Sequence, residues 1–411
     1  MSETRRLRQR LTVGEKISRA KLDGHSQACR YFMKLLRILH VLGAMNRGGV
    51  ETWLMHVLRN IDRDRFQTDF LVHTDQPAAY DSEVLALGSR ILRCPHTENP
   101  PLYATRFLQI VRRNGPFDVL HSHVHHFSGF VLALGRIAGI PVRIAHSHSD
   151  SKAADSKARL VRRIYLRAME RLIRTHQTDG FAASGPSAAA LFGDRWQQDR
   201  RLRVLYCGID LAPFRTPFDP AAIRAELGFS RDDVIFGHVG RFDPEKNHFF
   251  FLEVAACTLN LEPRAKFLLV GDGPLRPEVE KRAGALGLKD RIVFAGLRSD
   301  IPRLMMGAMD VLLMPSLYEG ICLVLMEAQA AGLPYVVSDV VPEEATVNSA
   351  LVHRLPLSEG PHEWARMASE IAEHPVFDRQ RAVELLDASR FDIRRGMRQM
   401  CDIYFVANNR A

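Results

Sequence analysis

Two cations stand close together in Gly240-Arg-Phe-Asp-Pro-Glu-Lys-Asn247, where Arg241 offers a planar fork of donors and Lys246 a mobile point charge. That pairing suits a diphosphate that has to be held and released. The alternative is a solvated basic loop. Two carboxylates follow in Glu319-Gly-Ile-Cys-Leu-Val-Leu-Met-Glu327. Glu327 interrupts an apolar helical face (Leu323, Val324, Met326, Ala330), and a carboxylate there is costly unless it accepts hydrogen bonds. A ribose diol could supply them, as could neighbouring backbone or an arginine. A glycine loop, Gly43-Ala-Met-Asn-Arg-Gly-Gly49, could receive a phosphate on backbone N–H groups at a helix start, although it has neither a G-x-G-x-x-G pattern nor a G-K-[ST] ending. The fourth group is His121-Ser-His123-Val-His125-His126. His121, His123 and His125 could line one strand face and hold a metal, but no acidic or cysteine ligand lies nearby, so contact with a substrate hydroxyl or proton movement is preferred. His146 and His148 form a similar pair on the next strand and read as supporting shell.

These groups need elements to aim them. The apolar run 35–42 ends at Gly43 and leads into a helical pattern at Val50, Trp53, Leu54, Val57 and Leu58: strand, glycine loop, helix. Strand-like 68–73, 118–122, 141–147 and 179–184 alternate with helix-like 101–114, 128–138 and 153–176. After a Pro-rich linker at 211–220, strands at 234–240, 266–271, 291–296, 310–315 and 334–339 alternate with helices at 246–258, 275–287 and 323–331. The stretch 361–409 reads as helical throughout. Short buried strands alternating with helices imply parallel sheets covered on both faces, hence two doubly wound α/β halves with the site in the cleft between them.

Composition narrows the class. The chain has 411 residues, is 46% hydrophobic and 25% charged, and contains no long uncharged apolar run, so neither disorder nor an integral membrane protein is expected. Six scattered cysteines without a C-x-x-C pair suggest neither zinc cage nor disulfide framework, which fits a reducing cytoplasm. The formal net charge of +9 is concentrated: residues 1–37 hold ten Lys/Arg against three Asp/Glu, and residues 143–174 nine against three. No nucleic-acid-binding motif accompanies this charge, and aromatics are not interleaved with it, so a nucleic-acid partner is not expected.

From Arg37 to about Tyr404 the chain resembles the family 4 glycosyltransferases of the GT-B fold, particularly their bacterial exopolysaccharide and capsule branch. The matching segments are NRGGVE (46–51), HSHVHHFSG (121–129), GRFDPEKN (240–247), VGDGP (270–274) and EGICLVLMEAQAAGLP (319–334). The resemblance implies two Rossmann-like domains facing across a cleft, with a C-terminal helix packing back over both. Its expected divisions are a flexible basic arm (1–32), an acceptor domain (33–212), a nucleotide-sugar domain (213–385) and a crossing helix (386–411). It implies retaining, metal-independent transfer, without a cofactor, from a UDP- or GDP-sugar to a saccharide or polyprenyl-linked acceptor. Donor binding falls on Gly48, Gly49, Arg241, Lys246 and Glu327; the sugar-contacting carboxylate on Glu319; and the reaction-centre histidine on His123. Cys322 departs from the proline common at that place, which bears on donor preference. The alternatives on the same scaffold are a nucleotide-sugar epimerase and a non-catalytic sugar-nucleotide binder.

The segment 153–174 is expected to be a helix burying Val161, Ile164, Tyr165, Ala168, Met169 and Leu172 and presenting Arg159, Arg162, Arg163 and Arg167 outward. Those arginines form either a solvated surface or a patch for anionic lipid headgroups, placing a cytoplasmic enzyme on the inner face of its membrane. Met33 reads as a natural family start, so residues 1–32 are expected to be an arm or an upstream translation artefact.

Overall fold

The computed structural model describes residues 35–149, 160–373 and 378–408. The basic arm, Met33 and Arg159 lie outside the described residues. A first sheet contains β1 (Leu36–Leu42), β2 (Phe66–Val72), β3 (Ile91–Arg93), β4 (Val119–Ser122), β5 (Val142–Ser147), β6 (Asp179–Ala182) and β7 (Leu202–Val204) in the order 3-2-1-4-5-6-7. A second contains β8 (Val234–Val239), β9 (Ala265–Val270), β10 (Ile292–Gly296), β11 (Val311–Met314), β12 (Tyr335–Val337) and β13 (Val352–Arg354) in the order 10-9-8-11-12-13. Every pairing within these two sheets is parallel. This is the GT-B architecture, two doubly wound domains.

The apolar runs explain the central strands. Leu36, Ile38, Leu39, Val41 and Leu42 of β1 are all buried, as strands covered by helices on both faces must be. The three strands absent from the sequence reading, β3, β7 and β13, are three-residue edges with half-buried side chains. A strand paired on one side only, and so short, carries no usable period.

In each sheet the strand order reverses beside the first strand, between β1 and β4 and between β8 and β11. Ligands of open α/β sheets bind outside the carboxyl ends at such a switch point. The glycine loop and His123 flank the first switch; Arg241–Lys246 and Glu319 flank the second.

The C-terminal stretch is not one continuous helical run. Among the described residues it contains Gly360–Glu373, Arg379–Ala388 and Ile393–Asn408, with a non-helical crossing at 389–392. There Ile209 N–H donates to Phe391 O and Ile393 N–H to Ile209 O, stitching the return to the first domain. The last helix then packs on that domain through Tyr404 and Phe405 against Phe66.

The basic helix, Leu160–His176 in the described residues, packs differently from the sequence expectation. It buries Leu166 and Ile173, with Met169 and Leu172 half-buried, whereas Val161, Ile164, Tyr165 and Ala168 are exposed. Only its later turns rest on the helix Ser128–Ile137, where Gly129 permits the approach: a Cβ there would stand 2.5 Å from Met169 O. The earlier turns project Leu160, Val161 and Ile164 into solvent beside Arg162, Arg163 and Arg167.

Candidate active site

The second-domain wall is built from loops that support each other. The loop after β8 turns at Pro244–Lys246, and Asn247 adopts φ 54° to open the helix His248–Leu261. The loop after β9 braces it: Phe242 N–H donates to Asp272 O and Leu275 N–H to Phe242 O. Gly271 is required there, since a Cβ would stand 2.0 Å from Gly240 O. Leu317 N–H donates to Glu245 O and joins the loop after β11 to the same assembly.

On this base Lys246 Nζ donates to Glu319 Oε1 at 2.5 Å, and Ser316 Oγ donates to the same oxygen at 2.8 Å. Burial works to lower the lysine's pKa, but the adjacent Glu319 carboxylate outweighs it and holds the ammonium well above its ordinary range. Arg241, largely exposed, rests its Nε 3.1 Å from Asp243 Oδ2. Glu327 lies on the helix Leu323–Ala331, is buried, and has no side-chain partner among the described residues. Burial pushes its carboxyl up to about 8. The backbone and arginine partners the sequence left open are not used among the described residues. Cys322 occupies the N-cap of that helix, its thiol pushed up to about 12 by burial and by Glu319.

The first-domain wall is made of imidazoles. His40 on β1 is in register with His121 on β4, and His146 and His148 follow on and after β5. His123 shares hydrogen bonds with both sides: 2.9 Å from Nε2 to His40 Nδ1 and 2.9 Å from Nδ1 to His148 Nε2. His121 Nδ1 is 2.6 Å from Tyr404 Oη of the last helix, and its Nε2 is 3.2 Å from His146 Nδ1. Trp53, on the helix Gly49–Asn60, packs edge-on to His146. Burial holds His40 and His148 down to about 3 and places His121, His123 and His146 well below their ordinary value, so all five are neutral near pH 7. His125 acts on His148 through its charge but does not share the strand face. The chain turns after His123, and His125 sits at φ 48° in a short 3-10 turn, so the strand-face trio of 121, 123 and 125 is not formed.

Between the walls, Gly48 is the N-cap of the helix Gly49–Asn60. Glu51 folds back over it, its Oε2 only 2.4 Å from where a Gly48 Cβ would stand. Burial raises this carboxyl to about 7, against the opposing pull of its own backbone N–H and of Arg241 in the other domain. Sequence reasoning passed over Glu51 within NRGGVE; its signal was an acidic residue in the first turn after a Gly-Gly pair. His40 was missed because nothing within β1 marks it. The walls touch where Gly320 lies against His148 O, 2.8 Å from its would-be Cβ, and where Arg47 donates to Arg298 O.

Two family descriptions match this chain: Glycosyltransferase Family 4 over residues 47–213 and Glycosyl transferases group 1 over 219–375. EpsF of Bacillus subtilis (strain 168), whose name indicates a glycosyltransferase and nothing of donor or acceptor, is 36% identical over 91% of this chain and 97% of its own. An Escherichia coli UDP-Gal:alpha-D-GlcNAc-diphosphoundecaprenol alpha-1,3-galactosyltransferase is 29% identical over 54% of this chain and 58% of its own. Among solved structures, Anabaena HepE in complex with UDP-glucose superposes with TM-score 0.72 at 20% identity, over 90% of this chain and all of that one. No described helix is long and apolar enough to cross a membrane.

Proposed function

This chain belongs to the family 4 glycosyltransferases of the GT-B fold, and from that premise we propose that it serves bacterial polysaccharide biosynthesis, transferring a sugar, with retention of configuration, from a UDP- or GDP-sugar to a saccharide or polyprenyl-linked acceptor. The observation that carries the proposal is the Lys246–Glu319 pair, which joins the neighbouring ends of β8 and β11, with Glu327 buried on the helix that follows and without a side-chain partner among the described residues.

In this reading Glu327 accepts hydrogen bonds from the donor ribose, and Arg241 with Lys246 takes the diphosphate. Lys246 is held charged beforehand by Glu319, so the cation that meets the negative charge developing on phosphate is already in place when the glycosidic bond breaks. Preorganised cations of this kind stabilise the leaving group without a metal at the diphosphate. Glu319 exchanges its ammonium partner for a sugar hydroxyl as Lys246 turns to phosphate. Retention with a carboxylate so occupied favours a front-face course, in which the departing phosphate oxygen receives the acceptor proton as the new bond forms. Isolation of a glycosyl adduct on Glu319 by mass spectrometry would overturn that course.

Gly49 offers its amide toward the same diphosphate, Gly48 N–H joins it by leaving Asn46 O, to which it now donates at 3.0 Å, and Glu51 must be protonated or displaced when phosphate arrives. His123 reaches a sugar hydroxyl by giving up one of its two imidazole partners. The exposed Leu160, Val161 and Ile164 beside Arg162, Arg163 and Arg167 support docking on an anionic leaflet, apolar groups entering the interface while arginines meet headgroups. Arg159 is part of the same proposal. The alternatives, an epimerase or a silent binder, separate cleanly: incubation with UDP-, GDP- and dTDP-sugars should release nucleotide from one donor class when a lipid-linked or saccharide acceptor is present. Donor consumption without nucleotide release supports the epimerase, and binding without turnover the silent binder.

A further inference from the structure

We propose that His123, His146 and His148 form a transition-metal site on the first-domain wall of the cleft, taking Zn²⁺, Co²⁺ or Ni²⁺ on three imidazole nitrogens with one position open. Donor nitrogens of these three residues lie within 4.8 Å of one another, although they come from two strand ends twenty-three or more residues apart in sequence. Tetrahedral zinc–nitrogen bonds of about 2.0–2.1 Å set ligand nitrogens about 3.3 Å apart, so His123 Nδ1 and His148 Nε2, now 2.9 Å apart, part slightly as His146 draws in.

The arrangement around each ring specifies which nitrogen faces inward. His123 has its Nε2 held by His40 Nδ1 at 2.9 Å, which leaves Nδ1 for the ion. His146 has its Nδ1 held by His121 Nε2 at 3.2 Å, and His121 is itself anchored by Tyr404 Oη. His148 has its Nδ1 3.7 Å from Cys207 Sγ, which leaves Nε2. Metal-binding imidazoles are normally oriented through their second nitrogen in this way, and here all three are. An independent observation points to a missing ligand: His146 Nε2 is fully buried and has no partner among the described residues. A buried polar atom left unpaired costs about 1–3 kcal/mol, and coordination would satisfy it.

Imidazole binds a metal through the nitrogen that carries no hydrogen. Each needs only the tautomer with its hydrogen on the outward nitrogen, and the ion replaces the His123–His148 hydrogen bond. Three neutral ligands leave the ion's charge uncompensated, so the fourth position takes an anion such as hydroxide. His148, half-buried at the cleft, gives access, while His146 lies beneath it. The site is distinct from the diphosphate cations of the opposite wall. Occupancy ties up His123 Nδ1, and the expected consequence is reversible inhibition of transfer. That consequence rests on the proposed role of His123; the binding itself does not.

The test uses the full chain freed of metal by chelation. Titration with Co²⁺, followed by visible absorption, should show one equivalent with the intense bands of a four-coordinate ion, displaced by Zn²⁺. His146→Ala should weaken Zn²⁺ binding at least a hundredfold and His40→Gln roughly tenfold, the scale on which outer partners act. His96→Ala, remote from the site, should bind as wild type. His148→Ala serves in place of His146→Ala if circular dichroism shows the latter unfolded. Absence of stoichiometric Co²⁺ or Zn²⁺ binding, or equal binding in wild type and the ligand variants, overturns the site. Neither result touches the transfer reading, which nucleotide release tests separately.

Discussion

At the carboxyl ends of β8 and β11 the molecule gathers fixed charge: Arg241, Lys246 and Glu319, with Glu327 on the helix behind. At the corresponding ends of β1, β4 and β5 it gathers five imidazoles that burial keeps neutral. The two sheets share a parallel topology and a switch point beside their first strand, so the fold alone does not account for the difference. Its source is the residue types the loops deliver. Under the proposed function the charged, partly open wall meets the diphosphate, and the polar, buried, uncharged wall positions a hydroxyl without competing for phosphate.

The contrast is broken most severely at Lys246. Lys246→Ala should lower kcat by roughly 10²–10³ while donor Kd, measured by calorimetry, changes much less, because the charge acts mainly in the transition state. Equal kcat in variant and parent would remove Lys246 from the chemistry.

Glu327→Gln comes next. With the carboxyl at about 8 the bond is between neutral groups, worth about 0.5–1.5 kcal/mol, and glutamine keeps part of it, so nucleotide affinity should fall by no more than about tenfold with kcat at saturation largely preserved. The same variant sharpens the comparison through pH. The folded carboxyl sits at about 8, above its unfolded value, so its stabilising contribution is complete at acid pH and is lost as pH rises from about 4.5 through 8. Urea unfolding of Glu327→Gln should show a shallower loss of stability over that interval.

The imidazole wall has the opposite sign. His40 titrates near 3 when folded and near 6.5 when unfolded, so its contribution is present above 6.5 and disappears as pH falls toward 3. The slope is up to about 1.4 kcal/mol per pH unit. His40→Phe, which can stack on Phe70 as His40 does, should flatten the acid limb and leave the alkaline limb unchanged. An unchanged acid limb would mean that the imidazoles are already protonated in the fold.

The smallest effect belongs to the basic helix. Arg163→Gln should weaken binding to anionic vesicles about fivefold at low salt, on the scale of about 1 kcal/mol per arginine, with turnover on a soluble acceptor unaltered. Vesicle binding that ignores both the substitution and salt would dissociate this helix from the membrane.

The charged wall was the more legible in sequence because each of its residues lies in a short local pattern: two cations at one strand-to-helix turn, and a carboxylate spoiling an apolar helix face. Even there, the Lys246–Glu319 contact joins residues 73 apart and depends on β8 lying beside β11. The imidazole wall was half legible. His121 and His123 stood in one motif, but His40 and Tyr404 come from distant elements, and His125 was excluded by a turn that the alternating pattern did not announce. The central strands were readable from their apolar runs, unlike the three-residue edges. On the basic helix, periodicity ranked Val161 and Ile164 as core, yet among the described residues the domain offers a packing partner only to the later turns.

Proton NMR of the glycoside formed from the accepted UDP- or GDP-sugar, with released nucleoside diphosphate quantified in the same sample, tests most directly whether the charged wall drives retaining transfer. The predicted result is one nucleoside diphosphate per product and the donor's anomeric configuration preserved. An inverted product, or no nucleotide released from any donor in the presence of acceptor, would contradict it.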